Sequence, residues 1–326
     1  PDLGFHLSTA RWILDNGWVP TTDIFTYTVV ERIYIDLQWL FQLTVYAVNG
    51  LFGPSGIVGL TVALTLGFSA ILLWRTWRRE GRLTASPLLL LLVFFLGNTW
   101  EVRPHLFSWI WGALLLLALE EHERGSRRWL IGLPLIMVLW ANSHSLFVLG
   151  LVIIATYVFS NVVKMTIQER RLQADRGLLV WSATAVGACL LNPYHIDGLL
   201  FPFGQFLLIQ GEGGYKSVLT GTAEFRSPFH WGIYSGSSPL WPLDALIWWQ
   251  VFTGLVVLGL VSLWKRVRLV EIILFLGFLY IFNQANKNFG YFVMVVLPFA
   301  ASGLDRLWMV VRSTVGRRGA SSMESH

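Results

Sequence analysis

Long apolar runs separated by short polar stretches set the pattern of this chain. Gly56 to Trp74 is the first unbroken run, and at 1.5 Å per residue a helix over it reaches about 30 Å, the thickness of a bilayer core. Leu83 to Trp100, Leu106 to Leu119, Trp129 to Ala141, Leu146 to Val163, Gly177 to Leu191, Ala245 to Trp264, Leu269 to Phe282 and Phe289 to Leu304 follow it. The expectation is an all-α, polytopic transmembrane helical bundle of about nine spans. A tenth apolar stretch, Leu37 to Phe52, ends in Asn49-Gly50 and Gly53-Pro54 and is read as lying on the membrane surface.

The opening Asp2 to Trp39 breaks this pattern, carrying Asp2, His6, Arg11, Asp23 and Asp36 beside runs that hold almost no charge. Asp2 and His6 are four residues apart, which puts them on one face of a helix. Phe5, Leu7, Trp12, Ile13 and Leu14 give that helix an imperfect apolar stripe suited to a membrane surface. The expected division is a first extracytoplasmic loop with amphipathic helices over 1–54 and a first part of the bundle over 55–192. An extracytoplasmic loop over 193–243, a last part of the bundle over 244–304 and a cytoplasmic tail over 305–326 complete it. The chain opens on Pro1 rather than Met, and a further apolar span is expected just before it.

Composition agrees with the membrane class: 55% of residues are hydrophobic and 13% charged, where soluble domains average about 25% charged. Many of the 17 Trp sit near the ends of apolar runs, as interfacial anchors do. The single cysteine, Cys189, lies inside an apolar run, so neither a disulfide framework nor a cysteine metal site is expected. Charge then orients the bundle. The connections beginning at Arg75, Arg124, Lys164, Lys265 and Arg306 hold 18 of the 24 Lys and Arg, which places them in the cytoplasm by the positive-inside rule. Basic residues in short clusters between spans are not a nucleic-acid footprint, so no nucleic-acid partner is expected.

With that orientation the unusual polar groups fall on the opposite, extracytoplasmic face: Asp2/His6/Asp23/Asp36, Glu101/Arg103/His105, Asn142/His144, Asn192/His195/Asp197, Glu224/Arg226 and Asn283/Lys287. Charges at the ends of spans are costly, and they commonly face a cavity or a partner. Each motif has two readings. Asp2 with His6 suits a general acid–base pair or a ligand for metal or phosphate, and equally an N-cap with an interfacial histidine. Asp23 suits a site acid, or a carboxylate bonded to its own turn. Arg103-Pro104-His105 suits an oxyanion, or a salt bridge with Glu101. His144 lines a cavity or closes a helical hairpin, while Asn192-Pro193-Tyr194 is a helix stop or a ligand contact. Gly53-Pro54-Ser55-Gly56 has the Gly-x-Ser-Gly form of rhomboid peptidases, and is also an ordinary helix start. No Walker loop, dinucleotide fingerprint or His-Glu-x-x-His motif is present, so nucleotide-dependent chemistry is not supported.

Asp2-x-x-Phe5-His6-Leu7, Gly17, Pro20-Thr-Thr-Asp23-Ile-Phe-Thr-Tyr-Thr, Gln38-Trp39-Leu40, Arg103-Pro104-His105-Leu-Phe-Ser, Asn192-Pro193-Tyr194, Glu224-Phe225-Arg226-Ser-Pro228 and the closing Asn288 to Pro298 occur in this order through most of the chain. In that order they resemble the bacterial GT-C-type membrane glycosyltransferase-like proteins, the dolichyl-phosphate-mannose mannosyltransferase-like superfamily. Leu3 stands where a paired acidic motif has its second acid, and Lys287-Asn288 stands where Arg-Asn is expected. The resemblance implies a GT-C-like fold in the bacterial inner membrane and a site on the extracytoplasmic face. It implies a polyprenyl-phosphate sugar as donor, an acceptor of unspecified chemistry, and room for a divalent metal. Asp2 would be the catalytic base and Asp23 a second catalytic candidate. His6, Arg103, His105, His144, Asn192, Tyr194, Glu224 and Lys287 would bind substrate. The alternative is a non-catalytic transporter or assembly scaffold for lipid or polysaccharide with the same fold.

Overall fold

The computed structural model describes residues 2–26, 32–80, 85–96, 102–210, 223–225, 227–229 and 245–323, so Glu101 and Arg226 lie outside the described residues. Among the described residues the protein is all-helical, 81% helix, with no strand. Among the described residues, three helical stretches are long and apolar enough to cross a membrane: Trp39–Arg79, Ser145–Glu169 and Asn286–Thr314. The chain divides into two compact units, Pro1–Phe68 with Trp100–Leu219 and Ser69–Thr99 with Thr220–His326.

In the first unit, α1 (Leu3–Asn16) ends at Gly17, whose φ of 77° closes the helix through its N–H to the Ile13 carbonyl. Glycine reaches this left-handed C-cap without the penalty a β-carbon brings. The face of α1 packed on the protein is His6, Thr9, Ala10 and Ile13, while Phe5, Leu14 and nearby Trp18 are exposed. The expected apolar stripe is therefore divided: Phe5 and Leu14 point away from the fold, as on a helix at a membrane surface, while Ile13 is buried and Leu7 packs inward.

The next helix, α2 (Trp39–Glu80), is two helices joined across a kink at Gly53, where φ 64° and ψ −163° leave helical space and Pro54 starts the second. Proline suits a first helical position because its missing N–H has no partner there anyway. Ser55 follows it on an exposed position, so the Gly-x-Ser-Gly stretch is built as a helix start. Phe41 and Val45 before the break and Ile57 after it form a core with Phe107, and Leu3 and Leu7 of α1 pack on that core.

α4 (His105–Glu123), α5 (Gly132–Ala141), α6 (Val148–Glu169) and α7 (Arg176–Ala188) continue this unit. At only ten residues α5 is about 15 Å long, and a 3-10 turn over Arg127–Ile131 lengthens it. α8 (His195–Gln210) is a difference from expectation: the stretch after Asn192 opens with an apolar helix exposing Ile196, Leu200, Phe203 and Phe206. Pro193 and the polar residues around it end α7, but the run from Ile196 keeps helical spacing and the chain restarts.

The second unit holds α3 (Ala85–Leu96), α9 (Ala245–Ser262), α10 (Leu269–Gln284) and α11 (Phe289–Met323). α9 and α11 touch backbone to backbone: a β-carbon on Gly259 would lie 2.6 Å from the Ala300 carbonyl oxygen, and one on Gly303 would run into Gly259. Ser262 Oγ donates to the carbonyls of Gly259 and Gly303, each at 2.7 Å. Small residues and a shared hydroxyl are how helices associate without a hydrophobic driving force between them. Arg79 and Arg268 both bond the buried Glu271, the latter at 2.7 Å, so this charge is matched on two sides.

Candidate functional site

The candidate residues of the first unit gather around the start of α1 and the turn before α4. Asp2 sits just before α1 and its side chain caps nothing. Its carboxylate instead lies 3.5 Å from Arg103 Nε, with the Asp2 side chain 52% exposed and that of Arg103 24% exposed. The pair ties the first turn of the chain to Arg103-Pro104-His105, a hundred residues on, and it stays open to incoming groups. His105 begins α4 and lies against Trp109, ring centres 4.7 Å apart.

His6 sits one turn after Asp2 but underneath the helix. It is buried, edge-on to Phe41, with Nδ1 3.5 Å from Gln42 Nε2. Burial pulls its pKa down to about 4; Asp2 works against this and Arg103 with it. At neutral pH His6 is therefore an uncharged supporting group behind the Asp2–Arg103 pair.

Asp36 is the residue the motif reading passed over. It is 4% exposed and its Oδ2 has no hydrogen-bond partner, while Oδ1 accepts the Gln38 N–H at 2.9 Å. Burial raises its pKa, against the lowering effects of Gln38 N–H and Gln42. An acid inside the apolar sequence Ile35-Asp36-Leu37 was the available signal.

No family model matches the chain, and no curated protein matches it. Asp23 Oδ1 accepts the N–H groups of Phe25 and Thr26, each at 3.0 Å, which is the turn-forming arrangement. These bonds, that of the Thr26 side chain first, hold its carboxyl below the usual range. Around it, Asp23 N–H bonds Arg32 O and Tyr34 N–H bonds Thr21 O, so the loop closes on itself. Phe25 rests against Phe5 of α1, ring centres 5.2 Å apart.

Asn192 spends its side chain locally: Nδ2 donates to the Cys189 and His195 carbonyls, and Oδ1 accepts the Tyr194 N–H. Tyr194 reaches further. Its hydroxyl donates to Pro20 O at 2.7 Å and accepts the Asp36 N–H at 3.0 Å, and burial pushes its pKa up to about 12. His144 Nδ1 lies 2.8 Å from Ser108 Oγ, which accepts Trp140 Nε1–H at 2.8 Å. Its neighbour Asn142 is a hub, accepting Trp39 Nε1–H at Oδ1 and donating Nδ2–H to Val138 O and Leu191 O.

Glu224 and Lys287 belong to the second unit. Glu224 lies in the 3-10 turn Ala223–Phe225, and Lys287 Nζ stands 3.6 Å over the Phe225 ring. Ser227 Oγ donates to Asn283 Oδ1 at 2.7 Å and Phe229 packs on Phe282, so the 223–229 stretch is fastened to the end of α10. The candidates therefore separate. Asp2 and Arg103 are paired, with His105 two residues after Arg103 and His6 buried one turn after Asp2. Asp23, Asn192 and Tyr194 serve the fold, and Glu224 with Lys287 form a cluster of their own.

Among the described residues no group of three or more His, Cys, Asp or Glu side chains converges as metal ligands would. Asp2 is engaged by Arg103 and has no second acid beside it in Leu3, so these residues do not fit a divalent metal. What the arrangement can do is present one carboxylate and one guanidinium together at an accessible surface.

Proposed function

We propose that this chain is a GT-C-like membrane glycosyltransferase of about nine spans in the bacterial inner membrane. It moves a sugar from a polyprenyl-phosphate donor to an acceptor on the extracytoplasmic face. The observation that carries the reading is the Asp2–Arg103 pair, which unites the two motifs that chemistry needs together, a base and an oxyanion binder. Three of the expected spans, Gly56 to Trp74, Leu146 to Val163 and Phe289 to Leu304, lie in helices long and apolar enough to cross a membrane, and the exposed Phe5 and Leu14 of α1 suit a loop lying on the bilayer.

In this mechanism Arg103 is shared. The donor phosphate draws the guanidinium, and the released Asp2 carboxylate takes the proton of the acceptor hydroxyl as its oxygen attacks the anomeric carbon. The bond from that carbon to the phosphate oxygen breaks, and polyprenyl phosphate leaves with the electron pair, its charge held by Arg103. Inversion at the sugar carbon follows. His6, neutral and buried, positions the start of α1 rather than holding phosphate.

The transporter or scaffold reading draws on a different observation, that Asp23, Asn192 and Tyr194 are all committed to internal bonds. One experiment separates the two. The protein in lipid nanodiscs is offered a panel of polyprenyl-phosphate sugars, and release of polyprenyl phosphate is measured for wild type and Asp2→Asn. Loss of a general base costs on the order of 10²–10⁴ in rate. Release that falls by this much establishes the transferase; donor binding without release, identical in both proteins, establishes the carrier.

A further inference from the structure

α8 is reversed for a helix lying between protein and water. Gly198 and Pro202 are the buried positions along 195–208, and a β-carbon on Gly198 would collide with the Asn192 side chain. Outward stand Ile196, Leu200, Phe203 and Leu207, spaced by four, three and four, which is one stripe of a helix. They are 52%, 56%, 46% and 69% exposed, and from Phe203 to Leu208 every residue is exposed. A helix with water on its outer side keeps its large apolar stripe on the protein. Here the small residues face the fold and the large apolar ones face out, while Asp197 is the one acid or base among its sixteen residues besides His195.

The root of the helix is fixed, so this orientation is set by the fold. Asn192 Nδ2 donates to the His195 carbonyl at 2.9 Å and so holds His195 at a φ of 48°, a left-handed residue in the turn between α7 and α8. Tyr194, just before it, bonds Pro20 and Asp36. The outward apolar surface also continues from the preceding helix, because Val186, Leu190 and Leu191, at and just past the end of α7, are exposed.

Charge decides how α8 meets a membrane. Lys164, Arg170, Arg171 and Arg176 lead into α7, and Lys265, Arg266 and Arg268 follow α9; the positive-inside rule puts both clusters on one side. One crossing by α7 and one by α9 keep them there, whereas a third crossing by α8 would part them. The sequence from 211 to 244 holds no apolar run of the length a compensating crossing needs.

We infer that α8 does not cross the membrane but lies in the plane of the leaflet away from the basic connections, with Ile196, Leu200, Phe203 and Leu207 among the acyl chains. This rests on the membrane reading and its charge orientation, and not on the transferase chemistry. An apolar stripe sunk beside the headgroups is how helices lie in an interface.

Spin labels on single introduced cysteines test it, in the full chain in nanodiscs of phosphatidylcholine and phosphatidylglycerol. Cys189 is buried and stays in place, with the unsubstituted protein as the blank. Ile196→Cys, Leu200→Cys, Phe203→Cys and Leu207→Cys each replace an exposed side chain, so little packing is lost. Phe159→Cys on the span-length α6 and Leu172→Cys in the connection after it serve as lipid and water references. Access of dissolved oxygen and of a water-soluble nickel complex is measured at each label. Oxygen is expected to dominate at all four stripe positions, at one shallow depth. The helix rises about 16 Å from Ile196 to Leu207, so a depth change of that size along the stripe would mean a crossing and overturn the inference. Nickel access equal to that at Leu172 would place α8 in water, and exclusion of both reagents would place protein over it; either result overturns it. Oxygen access at Phe159 alongside such a result removes the α8 assignment alone, whereas nickel access at Phe159 removes the membrane reading with it.

Discussion

Replacing Tyr194 by phenylalanine isolates a single oxygen atom. That oxygen donates to Pro20 O and accepts Asp36 N–H, so it joins the turn after α7 to both ends of the 20–36 loop. Pro20, Asp36 and Tyr194 are all buried, so neither orphaned backbone group gains water without a local opening. Leaving one buried polar group unmet costs about 1–3 kcal/mol, and two together, allowing for some relaxation, about 2–4 kcal/mol. For a unit of this size that is a drop of roughly 5–15 °C in melting temperature. Hydrogen exchange should quicken in the Thr21–Asp23 and Arg32–Asp36 stretches, with little change at α6. The ring itself stays, so packing is preserved and the effect belongs to the hydroxyl. A Tyr194→Phe protein with wild-type melting and exchange, but a weakened donor or acceptor KM, would refute this reasoning. It would return Tyr194 to the substrate contacts implied by the family resemblance.

His6 makes a pH prediction. Its pKa falls from 6.5 unfolded to about 4 folded, so between those values the unfolded chain binds the proton and the folded one does not. Stability from this group is therefore full above pH 6.5 and lost as pH falls toward 4, by an amount on the order of 2–3 kcal/mol. Urea or thermal unfolding of wild type and His6→Gln across this window should show the acid-side slope only in wild type, and parallel curves would remove His6 as its source. Gly303→Leu should separate α9 from α11, because its side chain meets the Gly259 backbone, which has no room to give. Loss of folded protein on size exclusion is expected there, while Gly277→Leu, with open space around it, should be tolerated; equal behaviour of the two would refute the close approach.

The helical architecture was legible because it rests on hydropathy and length. Apolar runs bounded by Arg clusters became helices, and the Gly53-Pro54 break fell where the turn residues stood. Bond partners were not legible in the same way. Asp23, Asn192 and Asp2 are all short polar residues near turns or helix starts, and local spacing gives each of them a capping or turn role. Two of them take it, while Asp2 turns to Arg103 across the fold. Nothing within a few residues of Asp2 encodes that contact. α8 lies in the stretch expected only as a loop over 193–243, and the apolar spacing from Ile196 onward carries the helix through Pro202. The inward face of α1 escaped because a stripe of His6, Thr9, Ala10 and Ile13 is not apolar enough to be read as a packing face.

The three acids of the opening stretch can now be ranked by what a general base must do, which is to reach a substrate proton while carrying an open lone pair. Asp23 is accessible, but its carboxylate is spent on the N–H groups of Phe25 and Thr26, and substituting it would unravel the turn before it touched any chemistry. Asp36 has an open oxygen and a raised pKa, both useful in a base, but it is 4% exposed and closed off from a substrate. Asp2 alone combines exposure with a partner that a phosphate can take away. Its ion pair is long at 3.5 Å and half open to solvent, and such pairs are worth about 0–1 kcal/mol, so in the proposed reaction the monoanionic phosphodiester of the donor would draw Arg103 from the carboxylate with little to overcome. For the proposed reaction a weak pair is therefore the useful one: a tighter Asp2–Arg103 bridge would stabilise the loop and hold back both the proposed base and the proposed phosphate binder.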